Sequence, residues 1–178
     1  MPGDFYFWLD LEMTGLNEKT DRILEAAAII TDKELHPLES YETAVFQTPE
    51  VLAAMGAWCQ KHHAESGLTA RVPGGIREEE LDTALVELAG RYLPDKKLIL
   101  CGNSIGQDRK FVDAFLPRFS ERLHYRMLDV TAFKIVFRDM LGIRFEKEQK
   151  HRALDDIRES IDELRYYLQF VESNPATA

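Results

Sequence analysis

A chain of 178 residues, 45% apolar and 30% charged, has the balance of one globular domain with its own core, which excludes a disordered or fibrous chain. Its 31 acids against 22 bases leave a formal net charge of -9. That sign repels long polyanions and excludes a reader of long duplex nucleic acid, but it leaves room for a small anionic substrate, or for carboxylates neutralised by cations.

Phe5 to Leu11 alternates around aromatics and predicts a first strand, and Glu25 to Thr31 predicts a second. Tyr41 to Thr48 is a weaker third. Helical patterning follows from Pro49 to His63 and again from Arg77 to Leu93, with Val72-Pro73-Gly74-Gly75 as a breaker between them. Leu98 to Cys101 predicts a short buried strand, ended by Gly102-Asn103-Ser104 and followed by a third helix to Phe119. Met127 to Val130 predicts another short strand with a helix behind it, and a long amphipathic helix runs from Ala153 to Val171. Residues 1–172 then form a single domain, with a frayed tail at 173–178. Three early strands, then short strands alternating with helices, describe an α/β fold: a mixed sheet flanked by helices.

Cys59 and Cys101 belong to no CxxC or Cys/His cluster, so they predict neither a disulfide framework nor a thiolate zinc site. They read as small buried hydrophobes in a reducing compartment. The start MPGDFYFWLDLEM lacks a basic segment and acids interrupt its apolar run, so no secretory signal is expected. No stretch approaches the apolar length of a membrane span. A soluble cytoplasmic chain is the expectation.

Several carboxylates stand where a charge is costly. Asp10 and Glu12 are two apart at the end of the first strand, so both point to one face, roughly 6.6 Å apart along the strand. They are either a polar strand end or a pair with a cation between them. In the third helix, at about 100° per residue, Phe111, Val112, Phe115 and Phe119 form an apolar stripe and Asp108 falls within it. Asp108 then either holds a metal or serves as an N-terminal charge favoured by the helix dipole. Asp113 falls on the solvated side.

The last helix has a core stripe of Leu154, Ile157, Ile161, Leu164, Leu168 and Val171. Asp155 projects away from it, while Asp156 lies about 100° from Ile157, at the flank where a helix meets a cleft. Of the two, Asp156 is the candidate ligand. His151 precedes the helix and is either a surface residue or one reaching back over that flank. Together these four acids and one histidine fit metal-dependent phosphodiester hydrolysis. Two divalent ions about 3.5–4 Å apart stabilise attacking and leaving oxygens, and a histidine titrating near neutrality accepts the water's proton. No Gly-rich phosphate loop, nucleophile elbow or zinc motif competes.

WLDLEMTGL (Trp8–Leu16), CGNSIGQDRKF (Cys101–Phe111) and HRALDDIRES (His151–Ser160) resemble, in order, the three motifs of the DEDD-type 3′–5′ exonucleases in their histidine-bearing branch. DRILEAAAIITD, AWCQKHHAESGL and HYRMLDVT extend the resemblance, most closely to the members that degrade very short RNAs to mononucleotides. The resemblance implies an RNase H-like fold in which Asp10, Glu12, Asp108 and Asp156 bind two Mg2+ or Mn2+ ions and His151 is the general base. It implies further that Leu16 wedges beside the substrate bases and Trp58 stacks on them, although by pattern alone both read as core residues. His63 takes the position of a histidine near the substrate, and Ser104 that of a residue capping the terminal phosphate. Tyr125 and Arg126 match residues donated in trans by the second subunit of a homodimer. The implied substrate is single-stranded RNA of about two to five nucleotides, gripped by an arginine fork on phosphate and aromatics on bases.

A DNA-directed proofreading or tRNA-trimming relative would share the five catalytic residues. The Trp58 segment and the HYR ending at Arg126 favour the short-RNA branch instead. A catalytically silent RNA-binding relative would lack one or more of the five, and all are present.

Overall fold

The computed structural model describes residues 5–146 and 152–173. Strands β1 (Phe5–Met13), β2 (Ile23–Asp32) and β3 (Pro37–Ala44) form an antiparallel meander. Helices α1 (Pro49–Ala53), α2 (Ala57–Glu65) and α3 (Leu68–Arg71), a 3-10 turn at Val72–Gly74, and α4 (Glu78–Tyr92) carry the chain back to β4 (Leu98–Gly102). Then come α5 (Gly106–Phe115), α6 (Pro117–Arg122), β5 (Leu123–Asp129), α7 (Val130–Ile135) with a π-helical turn at Val136–Met140, and α8 (Ala153–Ser173). The sheet order is β3-β2-β1-β4-β5, with β4 parallel to β1 and β5 parallel to β4. This is the expected mixed sheet flanked by helices.

Strand periodicity sorts the core into two layers. Phe7, Leu9 and Leu11 of β1, with Ala26, Ala28 and Ile30 of β2, pack against Leu81, Leu85, Phe111, Val112 and Phe119 of α4, α5 and α6. Trp8 and the alternate residues Ala27 and Ile29 pack on the opposite face with Val130, Ala153, Ile157, Ile161 and Leu164 of α7 and α8. Cover on both faces explains why β2 reads as an almost unbroken apolar run. No helix among the described residues is long and apolar enough to cross a membrane.

Several boundaries differ from those expected, each for a local reason. β3 lies earlier than Tyr41–Thr48, because its residues 37–44 pair with β2 in register. The first helical stretch divides around Ala54–Gly56, where the Gln60 amide donates to the Ala53 and Met55 carbonyls at 3.2 and 2.9 Å. The third helix stops at Phe115, since Pro117 disfavours helical backbone at Leu116 and starts α6 instead. β5 begins at Leu123 rather than Met127. At the end of α8, Tyr167 is buried under Phe137 while Leu168 and Val171 are exposed, so the predicted stripe fails over its last turn. That helix includes Ser173; residues 174–178 of the expected tail lie outside the described residues.

The break at Pro117 leaves helix N–H groups without intrahelical partners. Buried Asp82 of α4 accepts two of them, from Arg118 at 3.1 Å and Phe119 at 2.8 Å. Replacing Asp82 with Ala orphans both donors, and a loss of about 1–3 kcal/mol of unfolding free energy is expected, read from the denaturant midpoint.

Candidate active site

The same periodicity that builds the core aims the candidate ligands. Asp10 and Glu12 share the parity of Trp8, so they face α8. Asp156 precedes the anchoring Ile157 and comes up at the flank of that helix. One carboxylate oxygen from each of Asp10, Glu12 and Asp156 lies within 4.8 Å of the other two. Asp155 turns outward and pairs with Arg158 at 2.9 Å, which separates the adjacent aspartates as the helical spacing requires.

Asp108 arrives from the other side of the sheet, in the first turn of α5. It is only 6% exposed, and its Oδ1 accepts the Leu11 N–H at 2.9 Å, which fixes α5 to the end of β1. His151 lies outside the described residues.

Crowding and burial leave these acids reluctant to ionise. Burial first, then the charges of Asp108, Glu12 and Asp156, pushes Asp10 well above the usual carboxylate range. Burial, with Glu25 and Asp156 nearby, pushes Glu12 up to about 7. Asp108 is pushed to about 7 by burial, against the pull of its bonds to backbone N–H groups. An all-carboxylate set that repels its own charge suits a hard, oxygen-seeking divalent cation, whose charge would replace those protons.

The surroundings are divided between polar braces and exposed apolar groups. Glu25 pairs with Glu12 across the strands and is buried; Arg71 at the end of α3 forms an ion pair with it. Buried His63 of α2 donates from Nε2 to the Met13 carbonyl at 2.9 Å, and its Nδ1 stands 3.9 Å from Glu12 Oε2. By contrast, Leu16 is 72% exposed and Trp58 68% exposed, which overturns the pattern-based reading of both as core. They flank a cavity of about 340 Å3 whose floor includes Leu11, Glu12, Met13 and His63.

Just before the N-terminal end of α5, Ser104 holds the left-handed conformation (φ 50°), which costs a non-glycine residue about 1–2 kcal/mol. Its N–H is shared by Asp129 Oδ1 at 2.9 Å and Thr131 Oγ1 at 2.8 Å, and its hydroxyl lies 3.1 Å from the same Thr131 oxygen. Tyr125 and Arg126 stand on the edge strand β5, two places from β1. The Arg126 Nε donates to the exposed Tyr125 hydroxyl at 2.9 Å.

Sequence reasoning missed Glu25, Arg71, Thr131 and Gln107, whose amide donates to the Leu16 carbonyl at 2.6 Å. Glu25 had a usable signal: it is an acid inside the apolar run ILEAAAIIT. The others are ordinary polar residues whose partners lie far along the chain.

The exonuclease family model (RNase_T) matches residues 7–164, from β1 through most of α8. Curated oligoribonucleases are similar over nearly the whole chain. One from Francisella tularensis subsp. tularensis (strain WY96-3418) is 47% identical over 171 residues, 93% of this chain and 95% of its own. Another, from Shewanella loihica, is 44% identical over 169 residues, covering 92% and 93%. The chain belongs to the oligoribonuclease family of exonucleases. As a member of that family it is a nuclease, a phosphodiester hydrolase, and the resemblance of its motifs is borne out.

Among solved structures, Exonuclease I from Methylocaldum szegediense superposes with a TM-score of 0.65 at 20% identity, over 97% of this chain and 43% of that one. E. coli Exonuclease I in complex with a dT13 oligonucleotide gives 0.72 at 14% identity, over 96% and 42%. The chain thus spans about two fifths of those chains. The likeness is one of fold, RNase H-like.

The raised carboxyls make a sign prediction. Each holds its proton more tightly folded than unfolded, where carboxyls titrate near about 4. Their stabilisation is complete below that pH and is lost as pH rises through about 7, the range of Glu12 and Asp108. The melting temperature of metal-free protein is expected to fall between about pH 5 and 8, less steeply in Asp10→Asn. Saturating Mg2+ should stabilise more at the alkaline end, with proton release in calorimetry.

Proposed function

We propose that the chain is a 3′–5′ exoribonuclease that hydrolyses very short RNA, dinucleotides above all, to nucleoside 5′-monophosphates. One observation carries this reading: Asp10, Glu12 and Asp156 converge beside a cavity flanked by two exposed apolar side chains, Leu16 and Trp58. The curated relatives named oligoribonuclease support the RNA substrate.

In this reading Asp10, Glu12, Asp108 and Asp156 hold two divalent cations, Mg2+ or Mn2+. When bound, such ions supply Lewis-acid activation of water and charge relief for the leaving oxygen. His151 accepts the proton of the attacking water, and Asp108 keeps the end of β1 in place through the Leu11 N–H. Trp58 stacks on a base, an interaction worth about 1–3 kcal/mol, and Leu16 inserts beside it. His63 lies beneath the substrate and braces Glu12 and the Met13 carbonyl, which keeps the ligand's orientation independent of what occupies the groove. Ser104, together with Thr131, receives the terminal phosphate.

Tyr125 and Arg126 complete that phosphate cap from the second subunit of a homodimer. Support comes from the edge of β5 that no other described strand pairs and from Ile135, Val136, Met140 and Leu141, all exposed a short way after it in sequence. Both cysteines are free thiols, as suits the reducing cytoplasm. With a net charge of -9, a substrate of a few nucleotides held at its ends is favoured over a long strand.

The test is a series of labelled RNAs from two to about twenty nucleotides, with matched DNA, with and without EDTA. Dinucleotide RNA is expected to turn over fastest and only with metal present; faster turnover of long DNA would overturn the substrate reading. Donation in trans is tested separately. Asp108→Ala and Arg126→Ala homodimers should each lose activity, Asp108→Ala by about 10³-fold or more. Subunit exchange between them should restore part of it, and no recovery after proven exchange counts against a shared site.

A further inference from the structure

The loop that presents Leu16 is fixed by polar bonds rather than by apolar packing. Its two ends are joined by Thr14 N–H to the Arg22 carbonyl at 2.9 Å and by Arg22 N–H to Thr14 Oγ1 at 3.0 Å. Inside it, Asp21 accepts the Asn17 N–H at 2.9 Å and the Thr14 hydroxyl at 3.2 Å. A Cβ at Gly15 would lie 2.5 Å from Asp21 Oδ2, so a larger residue there would displace the carboxylate that holds the loop. These bonds close the loop on Asp21 and Arg22 without reaching α5.

Gln107 makes that connection. It is in the first turn of α5, one residue before Asp108, and its Nε2 donates to the Leu16 carbonyl at 2.6 Å across 91 positions of sequence. Lys110 Nζ donates to Gln107 Oε1 at 3.1 Å, which turns the amide so that its NH2 faces the loop. Asp108, next in the chain, accepts the Leu11 N–H. One turn of α5 therefore grips the β1 segment at two points, one at the carboxylates and one at the exposed leucine.

We propose that Gln107 is a positioning residue for substrate: it fixes Leu16 relative to Asp108, and so sets which bond of a short RNA lies over the carboxylates. The inference rests on the reading of Leu16 as a wedge beside the bases. A side chain 72% exposed has little packing of its own to hold it, so its position follows its backbone, and Gln107 holds that backbone. Losing one exposed hydrogen bond should loosen the wedge without unfolding the loop, which keeps its bonds to Asp21 and Arg22.

Steady-state kinetics on a dinucleotide RNA and a seven-nucleotide RNA provide the test, using wild type, Leu16→Ala, Gln107→Ala, the double variant and Gln107→Lys. Gln107→Ala is expected to raise KM for the dinucleotide by about threefold to tenfold, with kcat changed less than KM and the melting temperature unchanged. Leu16→Ala should raise the same KM, and Gln107→Ala should add nothing in that background, since both act through one group. Gln107→Lys keeps a donor on a stem of similar reach and should recover most of the loss.

Unchanged KM in Gln107→Ala overturns the proposal, as does a full-sized effect persisting without Leu16. An equal fall in kcat accompanied by a lower melting temperature would reduce Gln107 to a structural contact. If Leu16→Ala alone is silent, the wedge reading fails, and this inference fails with it. Should wild type prefer DNA, the substrate reading fails, yet the same variants on a DNA dinucleotide still decide the part played by Gln107.

Discussion

Like charges forced together at the carboxyl end of β1 impose the constraint that the rest of the molecule answers. Asp10, Glu12 and Asp156 bring carboxylate oxygens within 4.8 Å of one another, with Asp108 near enough for its charge to raise Asp10. Such a set does not assemble itself. It persists because its three carriers are anchored by forces larger than the repulsion. β1 lies inside a sheet covered on both faces, α5 is tied down by Phe111 and Val112, and α8 by Ile157, Ile161 and Leu164. Each buried aliphatic side chain contributes roughly 1.5–3 kcal/mol, so a few of them on each helix hold a charge where it would not otherwise stay.

The braces around the cluster work on the same principle, with hydrogen bonds in place of packing. Asp108 holds the Leu11 N–H, His63 holds the Met13 carbonyl, and Arg71 forms an ion pair with Glu25, which pairs across the strands with Glu12. Arg71 offsets only part of the Glu25 charge, which stands opposite Glu12 and still raises it, since like charges facing each other across strands repel. The groove beside this rigid floor differs in kind: Leu16 and Trp58 are left in water, though both are residues that folding ordinarily hides. Among the described residues nothing buries these two side chains, and they stand at the edge of the cavity that Glu12 and His63 also line.

Much of this was legible from residue spacing. Period two aligned Asp10 with Glu12, and helical period put Asp108 on a buried stripe and chose Asp156 over Asp155; the structure places all of these side chains accordingly. The same logic failed where local pattern and tertiary partner part company. Phe115 and Phe119 look like one stripe, yet Pro117 divides them between two helices. Leu168 and Val171 continue the apolar period of α8, but no described element covers that turn closely enough to bury them. Leu16 and Trp58 read as core by composition alone, and only their resemblance to known motifs pointed to a role at the surface.

By itself, then, the sequence determined the α/β class, the two faces of β1 and the acids that meet on one of them, because periodicity is a property of consecutive residues. It determined the family as well, through three motifs in order. Tertiary structure alone decided that Gln107 reaches Leu16, that Glu25 needs Arg71 and that Ser104 shares its N–H between Asp129 and Thr131. Each of those bonds joins groups 25 to 91 positions apart. No local rule couples such residues; they become neighbours only when the sheet order and the helix layers have set their distance in space.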